Sequence, residues 1–207
     1  MTRLSLRRLL PPPLLLLAAP LLLAGCGSET ADPAGPAEIA ARADPMGIAP
    51  EHVYVIEADG FDVAEQSVGV SGDDGFSAHY VSQGTGGQLH LRVDRGALTD
   101  ADCAEQPVAG TSGTTRCTRD GDAWYRATGD RREYAVPKDG HVVHVTGGPD
   151  VPRDVLREAA LGARRPSPAE LDELFSDAPD FDGSPVERGD LPTVGDGAPD
   201  NEPGVGG

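Results

Sequence analysis

The histidines are the side chains of this sequence best suited to metal binding or proton transfer, and five are present. His141 and His144 stand three positions apart in a valine-rich run that is typical of a β-strand. Since side chains alternate between the two faces of a strand, an odd separation places this pair on opposite faces. His79 and His90 fall in different predicted strands and meet only if those strands pair in a suitable register. We therefore expect no metal or cofactor site, and histidines that are exposed on strands.

The cysteines are the second group of side chains in this sequence that could do chemistry. Cys103 and Cys117 enclose a segment that contains glycine, threonine and proline and is typical of a loop. In a chain that leaves the reducing cytosol, an even pair of this kind indicates a disulfide. A redox-active pair is usually a C-x-x-C motif beside the start of a helix, and the spacing here is far wider. We therefore predict a structural disulfide between Cys103 and Cys117.

Residues 1–25 have the pattern of an export signal. Arg3, Arg7 and Arg8 precede a short apolar run that prolines interrupt. A basic start followed by a short apolar segment is typical of a secretory signal peptide. A membrane-spanning helix needs about 20 apolar residues, and this run is shorter. We therefore predict a signal peptide over residues 1–25, and the export route, general secretory or twin-arginine, stays open.

The end of this signal resembles the bacterial lipobox. In Leu23-Ala-Gly-Cys26, a branched apolar residue and two small residues precede a cysteine, as in that motif. The resemblance implies diacylglyceryl transfer to the thiol of Cys26 and cleavage just before it. Two acyl chains hold a protein far better than one, because each buried CH₂ group contributes about 0.8 kcal/mol. We therefore expect a protein on the outer face of the cell membrane, anchored by lipid on Cys26.

The charge balance is strongly acidic, with 34 acidic against 17 basic side chains and a net charge of −17. Removal of the signal peptide takes away its arginines and no acid, which brings the net charge to −20. We expect no nucleic-acid partner, because such partners require a cationic face. The richness in Ala, Gly, Asp, Arg and Pro, the lipobox and a Trp-containing strand segment together resemble secreted membrane lipoproteins of actinomycetes such as Streptomyces. That resemblance implies no activity.

The mature chain divides into three segments by composition. Residues 26–37 are polar and rich in Gly and Pro, which is typical of a flexible tether. Residues 38–176 contain the periodic apolar patterns and are predicted to form one domain. Residues 177–207 are acidic and poor in large apolar side chains, and we expect this tail to be disordered.

The domain begins with β-type patterns and ends with helical ones. The first predicted strand is 52–57, and further short strands separated by Gly and Asp turns continue to residue 145. The alternation in 88–94 places Leu89, Leu91 and Val93 on one face. After residue 151 the apolar spacing becomes that of an amphipathic helix, and Ser167-Pro-Ala-Glu170 is a capping box that starts another. We predict an α+β fold: a meander-like antiparallel sheet of five to seven strands with one or two C-terminal helices on one face.

Trp124, Tyr125 and Arg126 form the most distinctive segment of the predicted sheet. Adjacent residues of a strand face opposite ways, so one aromatic ring enters the core and the other faces outward. An outward Tyr125 beside Arg126 would form a contact surface. The alternative is that Trp124 packs under the helix and Tyr125 only covers the edge of the sheet.

These features favour a non-enzymatic, lipid-anchored envelope protein that binds or scaffolds another envelope component. The sequence has no G-x-S-x-G, phosphate-loop or H-E-x-x-H motif. Two alternatives stay open: a hydrolytic or metal-dependent enzyme assembled from His79, His90 and nearby carboxylates, and a small-ligand carrier with a pocket between sheet and helix. A concave pocket with clustered His and Asp would favour the enzyme. A large apolar cavity would favour the carrier, and an exposed aromatic patch would favour the binding module.

Overall fold

The computed structural model of the chain describes residues 32–178, which form three α-helices and eight β-strands. The helices are α1 (Pro36–Ala43), α2 (Arg153–Leu161) and α3 (Pro168–Leu174). The strands are β1 (Asp62–Val63), β2 (Gly69–Ser71), β3 (Gly75–Val81), β4 (Gln88–Arg95), β5 (Arg116–Asp120), β6 (Ala123–Thr128), β7 (Arg131–Pro137) and β8 (His141–Gly147).

All eight strands belong to one open antiparallel sheet, in the order β1-β3-β4-β8-β7-β6-β5, with β2 paired to β3. Strands β5 to β8 are a meander, and β8 pairs with β4 to join it to the β3–β4 hairpin. The predicted α+β class is therefore confirmed. The described sheet has eight strands rather than the predicted five to seven. Two of the eight, β1 and β2, are only two and three residues long.

The three helices cover one face of the sheet, called here the helix face. The alternating residues Leu89, Leu91 and Val93 of β4 are fully buried there, as the period of two predicts. Helix α2 packs on β7 and β8 through the small and branched side chains of one stripe, including Leu156. The capping box predicted at the start of α3 is present, since Ser167 and Glu170 exchange hydrogen bonds between side chain and backbone N–H.

The prediction of a strand at residues 52–57 is wrong. Pro50–His52 forms a 3-10 turn, and the following extended residues make one isolated β-bridge, between Val55 and Arg164, instead of a strand pairing. Val53, Val55 and Ile56 are buried in the main core, which explains their apolar character. A buried extended segment has the same composition as a strand, so its pattern does not reveal whether another strand pairs with it.

The folded part begins before residue 38. The N–H of Ala34 donates to the carbonyl of Pro166 at 2.8 Å, and the Ala34 side chain is buried. The last residues of the predicted tether therefore belong to the domain. The predicted signal peptide, Cys26 and nearly all of the predicted tail lie outside the described residues. Within residues 32–178, no helix is long and apolar enough to cross a membrane.

Candidate functional site

The face of the sheet opposite the helices is half covered by the segment between β4 and β5. This segment, residues 96–115, is called the cystine loop, because Cys103 and Cys117 form the predicted disulfide. It packs over β6 to β8 and shields a small second core made of Leu98, Cys103, Trp124, Ala135 and Val142. On the β3–β4 half of this face, Ser77, His79 and His90 are only partly buried, so the cystine loop divides the face into a closed and an open part.

Under the cystine loop lies an ion pair that is withdrawn from solvent. Arg126 of β6 and Glu133 of β7 are directly opposite each other, and both residues are 0% exposed. The Arg126 guanidinium donates to Glu133 Oε1 and to the backbone carbonyl of Gln106 in the cystine loop. A second attachment joins the hydroxyls of Thr115 and Thr128 at 2.9 Å. The buried pair thus connects the loop to the sheet.

Two further side chains complete the surroundings of Glu133. His144 Nδ1 lies 3.1 Å from Glu133 Oε1, and the Thr146 hydroxyl donates to Glu133 Oε2 at 3.1 Å. Burial alone raises the pKa of the Glu133 carboxyl, but the neighbouring His144 and Arg126 outweigh it and hold that pKa at about 2. Glu133 is therefore a carboxylate at neutral pH, with charged or hydrogen-bonding partners on both oxygens.

These residues belong to one row that runs across six strands. Each member is the register partner of the next, from the edge strand β5 to β3: Cys117, Arg126, Glu133, Thr146, His90 and His79. The first four lie at or under the cystine loop, and the last two lie on the open part of the face. At the edge of the cystine loop, the row therefore passes from buried side chains to side chains that are partly exposed to solvent.

At that edge the surface forms a small hollow, called here the histidine recess. Its volume is about 180 Å³, and it is lined by His79, Gln88, Leu89, His90, Ala109, Gly110, Arg131 and Thr146. Ala109 and Gly110 come from the cystine loop and form one wall, while the other residues come from the sheet. No carboxylate of the described residues is part of this lining.

The two histidines of the recess stack face to face. Their ring centroids are 4.2 Å apart and the rings are parallel, because His79 and His90 are opposite each other in the β3–β4 register. Ser77 Oγ lies 2.9 Å from His90 Nε2. Burial, the second imidazole and the nearby cations lower the pKa of His90 to about 4. Burial and Arg131 also lower the pKa of His79. Both rings are therefore neutral at pH 7, when each carries one N–H donor.

The predicted contact surface at Tyr125 and Arg126 is not what the structure contains. Arg126 is fully buried, so that part of the prediction is wrong. Tyr125 is half-buried on the helix face, where the Arg153 guanidinium lies 4.0 Å from its ring centroid. Trp124 faces the other way, as the alternation predicts, but it packs under the cystine loop and not under the helix. The reason is that both faces of β6 are covered, one by α2 and the other by the disulfide-bonded loop.

The remaining histidines, His52, His141 and His144, are buried, so the expectation that the histidines are exposed is wrong for these three. His141 lies on the helix face, where its Nε2 is 3.1 Å from the Tyr54 hydroxyl and its ring packs 5.6 Å from that of His52. His144 lies on the other face beside Glu133, so the predicted separation of His141 from His144 is confirmed. Among residues 32–178, no three His, Cys, Asp or Glu side chains are grouped closely enough to hold a metal ion.

A larger hollow of about 360 Å³ lies elsewhere, between the segment 55–63 and α3. Its lining contains several acids, among them Glu57, Glu170 and Glu173. Arg164 binds Glu57 and Glu170 and so ties the two sides together. This hollow lies between sheet and helix, where the carrier hypothesis expects a pocket, but acidic side chains line it and it is not a large apolar cavity.

Sequence reasoning did not single out Arg131 or Glu133. The pairing of Glu133 with Arg126 could have been predicted from the turn Gly129-Asp130. Gly129 has φ +60°, which a two-residue hairpin turn requires at its first position, and this turn pairs Thr128 with Arg131 and hence Arg126 with Glu133. Arg131 had no comparable signal, because its role depends on the position of the cystine loop.

No family model, curated protein or solved structure matches the chain. Its function is therefore inferred from its own residues and their geometry.

Proposed function

We propose that this chain is a lipid-anchored binding module on the outer face of the cell membrane, and that it holds a group of another envelope component in the histidine recess. The lipobox-like segment ending at Cys26 supports the anchor. The Cys103–Cys117 disulfide is consistent with a location outside the cytoplasm. The observation that carries the binding proposal is the recess itself, which combines several hydrogen-bond donors with a wall that the sheet holds in place.

The rigidity of that wall is the first argument. A buried ion pair is often no more stabilising than well-packed apolar residues of the same volume, so its presence calls for a structural reason. Here Arg126 binds both Glu133 and the carbonyl of Gln106, three residues before Ala109 in the recess wall. The disulfide fixes the loop at a second point. Such preorganisation lowers the entropy cost of binding.

The size of the recess is the second argument. Pockets that enclose a whole small molecule usually measure about 300–1,000 Å³. At about 180 Å³ the recess is smaller, and it suits one functional group of a larger component. This favours a module that holds on to a partner over a carrier that encloses its ligand. The enzyme hypothesis needs carboxylates beside His79 and His90, and none in the described residues lines the recess.

The anchor is tested by replacing Cys26 with Ala. We expect the protein to leave the membrane fraction or to remain as an unprocessed precursor, because the thiol that accepts the diacylglyceryl group is gone. Cell fractionation followed by intact-mass measurement reports both outcomes. Ser28→Ala, two positions away, is the matched control and should behave as the wild type. Normal processing and membrane retention of Cys26→Ala would disprove the lipid anchor.

The binding site is tested by cross-linking in intact cells. A photoreactive residue replaces Gln88, which is exposed in the recess, or Glu158, which is exposed on α2 as a control. We expect an adduct from position 88 that is absent from position 158 and is lost when His79→Ala is added. No adduct from position 88, the same adduct from both positions, or one that survives His79→Ala would contradict binding at the recess.

A further inference from the structure

Arg131 is the charged side chain of the histidine recess, and it has no carboxylate partner there. None of the ion pairs formed among residues 32–178 includes Arg131. Acids outnumber bases two to one in this chain, and guanidinium groups such as those of Arg42, Arg95 and Arg164 are each bound to one. Among the described residues, Arg131 shares the absence of an ion pair with other cations such as Arg116 and Arg132, but it alone of these lines the histidine recess, whose lining contains no acid.

The other donors of the recess point to the same kind of ligand. His79 and His90 are neutral at pH 7, so each ring carries one N–H, and the Gln88 amide offers another donor. His90 Nε2 faces Ser77 Oγ, so His90 offers its N–H to a ligand when the proton is on Nδ1 and the Ser77 hydroxyl donates to Nε2. Arg131 lies close enough to both imidazoles to oppose their protonation electrostatically. The same positive charge opposes binding of a metal cation to these two rings. A negatively charged group would instead be attracted to Arg131 and could accept hydrogen bonds from the imidazoles.

We infer that the histidine recess binds an anionic oxygen group, a carboxylate or a phosphate, between the Arg131 guanidinium and the N–H groups of His79 and His90. This inference rests on the proposed function, since it names the chemistry of the group held in the recess. The planar guanidinium matches two oxygens of either anion, and charge-assisted hydrogen bonds of this kind are about twice as strong as neutral ones.

The test is calorimetric titration of the lipidated, detergent-extracted chain at low ionic strength and pH 7. Sodium phosphate and sodium acetate are the probes, and they distinguish the two sources of the anion. We expect saturable binding of at least one of them, and Arg131→Gln should weaken it by about tenfold or more. Arg116→Gln, which removes an exposed arginine on β5, is the matched control and should leave the affinity unchanged.

Three results would overturn the inference. Binding that is equally strong in Arg131→Gln would place the anion elsewhere, and absence of binding by both probes would exclude an anion site of useful affinity. Saturable binding of zinc chloride that depends on His79 and not on Arg131 would make the recess a cation site.

Failure of this inference is distinguished from failure of the proposed function by the cross-linking experiment. If the position-88 adduct nevertheless forms in cells, the recess holds a group of another chemistry and the proposed function stands. If that adduct is also missing, the proposed function fails as well.

Discussion

Replacing Glu133 by Gln is expected to lower the free energy of unfolding by about 3–5 kcal/mol. The substitution removes the negative charge and leaves the Arg126 guanidinium buried without a counterion. Solvent cannot compensate, because both side chains are fully buried beneath the cystine loop. A buried charge that loses its partner is far more costly than a surface ion pair, for which about 0–1 kcal/mol is usual.

Denaturant unfolding followed by the fluorescence of Trp124 measures this effect. Trp124 is the single tryptophan of the chain and lies in the second core under the same loop. Glu105→Gln, on the exposed side of the cystine loop, is the matched control and should change stability by less than about 0.5 kcal/mol. The double variant Arg126→Leu, Glu133→Leu should lose less stability than Glu133→Gln, because no charge stays buried. A double variant that is the less stable of the two would contradict this account.

The same substitution should change the response to acid. The pKa of Glu133 is about 2 in the folded protein, below the ordinary value of 4.5. Between these values the unfolded chain binds more protons than the folded one, so stability falls as the pH falls. The contribution of Glu133 is complete above about pH 4.5 and is lost on the way down to about pH 2. Glu133→Gln should lack this component, and an unchanged slope in that window would contradict the assigned pKa.

Removing the disulfide has the second-largest expected effect. Cys103→Ala with Cys117→Ala should lower the free energy of unfolding by about 3 kcal/mol, because the unfolded chain regains the entropy of a closed loop of this length. The residues are 14 positions apart, and Cys103 is fully buried in the second core. Alanine is chosen because a serine hydroxyl at position 103 would be buried among apolar side chains.

Denaturant unfolding with and without reductant separates the disulfide from the packing of the sulfur atoms. Reductant should destabilise the wild type and leave the double alanine variant unchanged. The variant should also give less of the adduct from position 88, because Ala109 and Gly110 of the recess wall belong to the loop that the disulfide holds. Equal stability of wild type and variant would show that the buried ion pair alone keeps the loop in place.

Strands β4, β6 and β8 illustrate which features a local pattern can predict. Alternation in β4 and β8 correctly assigns Leu91 and His144 to their faces, because that assignment depends only on the period of two. The same alternation separates Trp124 from Tyr125, but it does not say which covering element each will meet. The cystine loop covers Trp124 and α2 covers Tyr125, and that choice depends on where a 20-residue segment comes to rest.

The sequence by itself determined the α+β class, the disulfide and the capping box, and it predicts the signal peptide and the lipid on Cys26. Each of these depends on residues that are close together in the chain or on a repeated period. The tertiary structure alone decided that Arg126 and Glu133 are buried and that His79, His90 and Arg131 share a recess. Those contacts join strands and a loop that are far apart in the chain, so they exist only once strand register and loop packing are set together.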